Sequence, residues 1–251
     1  MQITIRDIKL GPEHLERTLS ARFERGLDNV EKLIMYQQLI EKMETESSFG
    51  HSGKFRIKYF CLGYLYQQVA RLTEDRDQKE RFYECALNCY RKFILRTGNG
   101  EEDFFACFSV GILLQALDQP WLEAEQKFLE AYKLNPRRGE PIDRIIQYYL
   151  AKQQWAIAFL FSSSAKEQFY GKPPDQGNWG IDKSFYSWRI LHLHIAACFS
   201  LGRMKEATEN FAFLYSLTLE HTEIFLPREI DLIHSQKSLF PEFEIYVKDS
   251  A

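Results

Sequence analysis

Glycine and proline are scarce in this chain, 13 and 8 among 251 residues. An all-β domain needs many tight turns, and tight turns draw on those two residues, so the shortage points away from strands. No stretch approaches the roughly 18 uninterrupted apolar residues of a membrane-crossing helix. An excess of charge of one sign is missing too: 32 Lys and Arg stand against 35 Asp and Glu, a formal net charge of −3. That leaves no general attraction to nucleic acid or to an anionic membrane, and neither is expected as a partner. The cysteines (Cys61, Cys85, Cys89, Cys107 and Cys198) are odd in number, which suits free thiols in a reducing compartment better than a disulfide framework. The opening MQITIRDIKLGPEHLER carries charges throughout and lacks the apolar run of a signal peptide, so a cytoplasmic location is expected. What is plentiful is apolar and aromatic surface. The hydrophobic fraction is 45%, with 20 Phe and 13 Tyr, enough to build a core without cross-links.

Periodicity organises the rest. Residues 2–10 alternate apolar and polar side chains, as an extended arm would, and Pro12 sits where a first helical turn tolerates proline. Asp28 precedes a run in which Leu33, Tyr36, Ile40 and Met43 recur at three- and four-residue steps, one helical stripe. SSFGHSG breaks the pattern at 47–53. From Lys54 onward helix, short turn and helix repeat four times, the first pair interrupted by the polar TEDRDQKE. YGKPPDQGNWG at 170–180 reads as a loop. Pro227 begins a last short helix, and Pro241 a tail in which Phe240, Phe243 and Tyr246 offer an apolar surface for pairing with a second copy. The expected fold is all-α, with an irregular N-terminal helical segment (1–53), a repeat region (54–218), and a C-terminal capping helix and tail (219–251).

Chemistry-bearing patterns are few. Asp75-Arg76-Asp77 has the spacing of a carboxylate pair that holds a divalent ion against a diphosphate, but it lies in a charged linker without a nucleotide fold upstream. Ser163 and Lys166 reproduce a Ser-x-x-Lys spacing without its companion motifs. Cys85 and Cys89 share a helix face, yet no second half-site of zinc spacing follows. His192 and His194, two apart, point in different directions on a helix. No Gly-rich phosphate loop, His-Glu-x-x-His or Gly-x-Ser-x-Gly occurs. No catalytic residue, metal or cofactor is expected.

The repeats carry a steric signature. Val110, Gly111 and Leu114 are followed by Ala124, Phe128, Ala131 and Pro136. The other pairs give Leu62, Gly63 and Tyr66 with Ala86, Tyr90 and Phe93; Ile145, Ile146 and Tyr149 with Ala158, Ser162 and Ala165; and His194, Ile195 and Cys198 with Ala207, Phe211 and Leu214. Small residues let two helix axes approach, and an aromatic fills the gap toward the next pair. This pattern resembles the tetratricopeptide repeat, with Ser162, His194 and Ile195 off its consensus. A sharper resemblance covers the last two pairs: Arg138, Gly139, Glu140 and Pro141; Tyr148 and Tyr149; Ala158 to Phe161; Asp182, Lys183, Ser184, Tyr186, Trp188 and Arg189; then Leu201-Gly202-Arg203 with Lys205-Glu206-Ala207. These are similar to the repeat region that accompanies bacterial nucleotide-sugar glycosyltransferases. The catalytic domain of that family has no counterpart here, because helix pairs already occupy the chain.

The resemblance implies a right-handed α-α solenoid whose first helices line a concave groove. It places Phe105, Phe108, Ile112 and Gln115 on that surface in the second pair. In the third it places Glu140, Asp143, Gln147 and Leu150, with Arg144 beside them, and in the fourth Arg189, His192, Ala196 and Phe199. Arg137, Arg138 and Arg144 form the one basic cluster near a helix start, where arginine forks suit acidic groups or phosphate, although a solvated turn explains Arg137 and Arg138 as simply. Trp179, Tyr186 and Trp188 offer rings for a sugar or a partner, or else cover the end of the third pair. The expected function is a non-catalytic scaffold that binds a protein partner, a glycosyltransferase or its acceptor, in glycan or glycoprotein assembly. The alternative is an accessory protein that binds a glycan or nucleotide sugar.

Overall fold

The computed structural model describes residues 28–45, 52–95, 98, 100–174 and 180–248, and among these there is no strand. The extended arm expected at 2–10 and the stretch opened by Pro12 lie outside them. The chain divides into two units, Met1–Leu134 and Asn135–Ala251, a boundary that falls inside the expected repeat region.

In the first unit, α1 (Asn29–Thr45) starts where Asp28 caps it. The Asp28 carboxylate accepts from the amides of Val30 (2.8 Å) and Glu31 (2.9 Å), and Glu31 reaches back to the Asp28 amide (3.0 Å), the reciprocal arrangement that satisfies exposed helix-end donors. Consecutive helices then pack in order: α1 on α2 (Ser52–Leu72), α2 on α3 (Arg76–Ile94), α3 on α4 (Glu101–Ala116), and α4 on α5 (Trp121–Leu134). Only Thr73, Glu74 and Asp75 of the polar run TEDRDQKE link the two helices; the rest is helical. Asp75 accepts from the Gln78 amide at 2.8 Å, so Asp75-Arg76-Asp77 caps and opens α3, and the run's polarity belongs to the helix's exposed first turn. Cys85 and Cys89 lie further along this helix, one exposed and one buried. Ala86 and Ala124 are completely buried, and a Cβ added at Gly63 would sit 2.9 Å from the Tyr90 ring. At Gly111 the Phe128 ring would be 2.5 Å away. The Arg56 guanidinium pairs with Asp103 and lies 4.1 Å over the Phe93 ring, joining α2 to both α3 and α4.

In the second unit α6 (Glu140–Ala151) packs on α7 (Trp155–Phe169) and α7 on α8 (Ile190–Ser200). A π-helical turn, Phe185–Arg189, leads into α8, which packs on α9 (Met204–Glu220). Ala158 and Ala207 are again completely buried. The expected single capping helix is more elaborate: α10 (Pro227–Ser235), a 3-10 turn (Gln236–Leu239) and α11 (Phe243–Lys248). Phe240 and Phe243 do not form a surface for a second copy. Their rings lie 4.4 and 5.4 Å from that of Phe211, because covering Phe211 removes all three from water. No described helix is long and apolar enough to cross a membrane.

Three hairpin turns share one geometry. Two residues after α4, α6 and α8 come Asp118 (φ 51°), Gln153 (φ 57°) and Gly202 (φ 71°). Each left-handed residue is followed by an amide that donates back at 2.9 Å: Gln119 to Leu114 O, Gln154 to Tyr149 O, and Arg203 to Cys198 O. This turn caps the orphan carbonyls of a helix and favours glycine at its left-handed position. Accordingly, Gln153→Gly is expected to stabilise the fold by roughly 0.5–1 kcal/mol in urea denaturation, and Gly202→Ala to destabilise it by a similar amount. Effects of the same sign for the two substitutions would show that the turns are not equivalent.

Candidate functional site

Four expected groove residues of the second unit, Glu140, Asp143, Gln147 and Arg189, converge on a largely buried polar network around the start of α6. The Asn135–Gly139 turn carries Arg138, which is only 1% exposed, and its Nε donates to Glu140 Oε2 at 3.0 Å. Tyr186 from the π-helical turn donates its hydroxyl to the same oxygen (2.9 Å) and accepts from the Gly139 amide (2.8 Å). Glu140 Oε1 accepts from the Asp182 amide at 3.2 Å. Burial, with the Glu140 carboxylate adding to it, pushes the Tyr186 phenol well above its ordinary pKa. Gly139 is required here, since any Cβ would run into the Phe185 ring.

A second cluster continues the network. Arg189 donates to Asp143 Oδ2 (2.6 Å) and Ser184 Oγ (2.6 Å), and pairs with Asp182 at 2.8 Å. Gln147 donates to Asp143 Oδ1 at 2.8 Å. Burial raises the Asp143 pKa, against the opposing pull of Arg189. For Asp182, burial also pushes upward, but hydrogen bonds from Ser184 and Arg189 outweigh it and hold the carboxyl below its usual range. Widened π-helical turns are rare and recur at functional places. This one turns Phe185, Tyr186 and Trp188 into the core while Arg189 meets Asp143.

These placements sort the expected residues. Glu140 and Asp143 are buried in partnership with this chain's own groups. Arg138 is no solvated turn residue, and it lies in the core because Glu140 neutralises it there. Arg137 and Arg144 are exposed and Gln147 is half-buried. His192 meets Gln236 at 3.1 Å and packs against Trp188, and burial lowers its pKa. Tyr186 and Trp188 are 1% and 4% exposed, so their rings close the helix packing and present no face to a sugar. Trp179 lies outside the described residues. In the first unit, Phe105, Phe108, Ile112 and Gln115 are half-buried on α4. Phe105 packs against Phe60, Tyr64 and Tyr90, and Phe108 against Phe104 and Phe128.

A third polar cluster, absent from the sequence expectations, joins α7, α8 and α9. Ser162 Oγ lies 3.1 Å from His194 Nδ1. His194 Nε2 lies 3.0 Å from Glu206 Oε1 and 3.5 Å from Cys198 Sγ. Phe159 stacks on the imidazole at 5.4 Å, and the Arg203 guanidinium covers Phe159 at 4.4 Å. Burial lowers the His194 pKa, with Lys166 contributing, and raises the Cys198 thiol to about 11. Ser162 is wholly buried. Glu206, by contrast, lines an open cleft of about 1010 Å³ with Lys166, Arg203, Glu209, Asn210 and Phe213. Two of the three residues that depart from the repeat consensus, Ser162 and His194, therefore touch each other: one polar substitution answers the other across the α7–α8 contact. The signal was present in the sequence as His194-x-x-x-Cys198, one helical turn apart, but the third member comes from the next helix.

No protein-family model matches the chain, and no curated protein is similar to it in sequence.

The Asp182 shift gives a pH test. A carboxyl held below its unfolded pKa stabilises the fold above that pKa, and the contribution fades as pH falls through the folded value. Asp182→Asn should therefore be less stable than the unaltered chain at neutral pH. The gap should close as pH drops below about 4, the ordinary Asp range, in urea melts compared across pH. A gap constant with pH would contradict the Arg189–Asp182–Ser184 arrangement.

Proposed function

We propose that the chain is a non-catalytic repeat scaffold. Its helix pairs would form a right-handed solenoid of tetratricopeptide type, and its first-helix faces would bind a protein partner within the cytoplasm. The observation that carries this reading is the recurrence of one turn and one packing device from hairpin to hairpin. The left-handed turns at Asp118, Gln153 and Gly202 coincide with fully buried alanines at Ala124, Ala158 and Ala207. Repeat arrays are built from such equivalent units, and their first-helix surfaces serve extended ligands. The setting follows from the resemblance of residues 138–207 to the repeats accompanying bacterial glycosyltransferases: the partner is an enzyme of surface-glycan or glycoprotein assembly, or its acceptor.

In the second unit we assign the partner face to Arg144, Gln147 and Phe199, which keep exposure, with Gln147 held by Asp143 and Phe199 packed edge-on to Phe240. Fold alone does not assign a partner, so the test is direct. The tagged chain and an Arg144→Glu/Phe199→Ala variant are compared in pull-downs from their own cells, with circular dichroism to confirm folding. The reading expects a glycan-assembly protein recovered with the unaltered chain and reduced at least tenfold with the variant. Recovery of the same proteins in equal amounts would refute the assigned face. Absence of glycan-assembly proteins would refute the setting. The alternative, a sugar-binding accessory, draws no support from Tyr186 or Trp188, whose rings are covered.

A further inference from the structure

We propose that His194, Cys198 and Glu206 form a binding site for a zinc-class divalent ion, beside the cleft that Glu206 lines on α9. The ligand atoms His194 Nε2, Cys198 Sγ and a Glu206 carboxylate oxygen lie within 4.8 Å of one another. A tetrahedral zinc ion with ordinary bond lengths holds a nitrogen and a sulfur about 3.6 Å apart, and a nitrogen and a carboxylate oxygen about 3.4 Å apart. The observed separations are 3.5 and 3.0 Å. The helix turn from His194 to Cys198 already has the spacing, and Glu206 needs to give only a few tenths of an ångström.

The contacts around His194 accommodate a cation. Ser162 Oγ is 3.2 Å from Phe159 O, 3.1 Å separates it from His194 Nδ1, and Nε2 faces the Glu206 carboxylate at 3.0 Å. A neutral imidazole and one hydroxyl supply two protons for these three contacts, so Ser162 serves either Nδ1 or Phe159 O. A cation on Nε2 lets it serve both. The imidazole proton then sits on Nδ1 and is donated to Ser162, whose own proton goes to Phe159 O. Such an outer hydrogen bond is what orients a metal-bound histidine.

The remaining features suit an ion. Arg203 Nε and Nη2 both hold Glu206 Oε2 at 2.7 Å, which leaves Oε1 directed at His194. A thiolate and a carboxylate together balance the charge of a doubly charged cation, with Arg203 paired to the far oxygen of the same carboxylate. Binding releases the Cys198 thiol proton to solvent. A soft thiolate with an imidazole and one carboxylate selects zinc-class ions over magnesium or calcium. Three protein ligands leave one tetrahedral position for a further donor such as water, and Glu206 is the ligand that reaches the cleft. The inference stands independently of the scaffold reading.

The test uses the full chain carrying Cys85→Ser, which removes the exposed thiol, after treatment with a chelator. Cobalt(II) is titrated as the probe, because a cobalt–thiolate bond absorbs in the near ultraviolet and tetrahedral cobalt absorbs in the visible. One equivalent is expected to bind and to be displaced by zinc. Cys198→Ser should lose the thiolate band, and Glu206→Gln, with folding checked by circular dichroism, should weaken binding at least tenfold. Folded protein that shows no cobalt–thiolate band would overturn the proposal, as would a band that persists unchanged in Cys198→Ser. Should Cys198→Ser fail to fold, the titration of the Cys85→Ser chain and of Glu206→Gln decides the matter by the same criteria.

Discussion

An aromatic ring lying where a side chain would begin is the contact on which the helix packing turns. At Gly63 the Tyr90 ring fills that space, at Gly111 the Phe128 ring does, and at Gly139 the Phe185 ring. The first two contacts set how closely the paired helices of the first unit approach. The third lets the turn before α6 sit against the π-helical turn in the second unit. Interiors packed to crystal density tolerate neither a gap nor an extra methyl at such points. The fully buried alanines at Ala86, Ala124, Ala158 and Ala207 extend the same constraint along the second helices of the pairs.

Close approach at Gly139 has a consequence for the polar groups nearby. It places the Tyr186 hydroxyl on the Gly139 amide and the Glu140 carboxylate, so Arg138 and Glu140 are buried as a partnered set. A buried ion pair adds little net stability against an apolar replacement, but removing one partner alone typically costs about 3–5 kcal/mol. The network therefore specifies how the π-helical turn docks on α6 more than it strengthens the unit. Ser162 and His194 do the same across α7 and α8, where a serine replaces the aromatic of the repeat pattern and a histidine replaces an apolar residue. The difference is Glu206, which connects that pair to an open cleft.

The all-helical class, the four hairpins and the alanine and glycine positions were legible because each depends on local sequence. Small residues at matched spacing report a close approach whatever surrounds them. The start of α3 was hidden because its first turn is exposed and reads like a linker until Asp75 is recognised as a cap. Arg138 illustrates the opposite failure. As one of two adjacent arginines beside a turn it has the look of a solvated residue, and only Glu140 and Tyr186, 46 positions apart but sharing a hydrogen bond, show why it is buried. His194 and Cys198 could be paired from their spacing, but Glu206 joins them across a hairpin. Long-range partnership of that kind leaves no periodic trace.

The central contact is tested most directly by a double-mutant cycle of Gly111→Ala and Phe128→Leu, followed by urea denaturation of the full chain. If the ring occupies the space a side chain would take, shrinking it relieves the clash. The double variant should then be more stable than the sum of the single effects by about 0.5–3 kcal/mol. Additivity within about 0.5 kcal/mol would mean the two residues do not meet as described, and the packing of the pairs would need another basis.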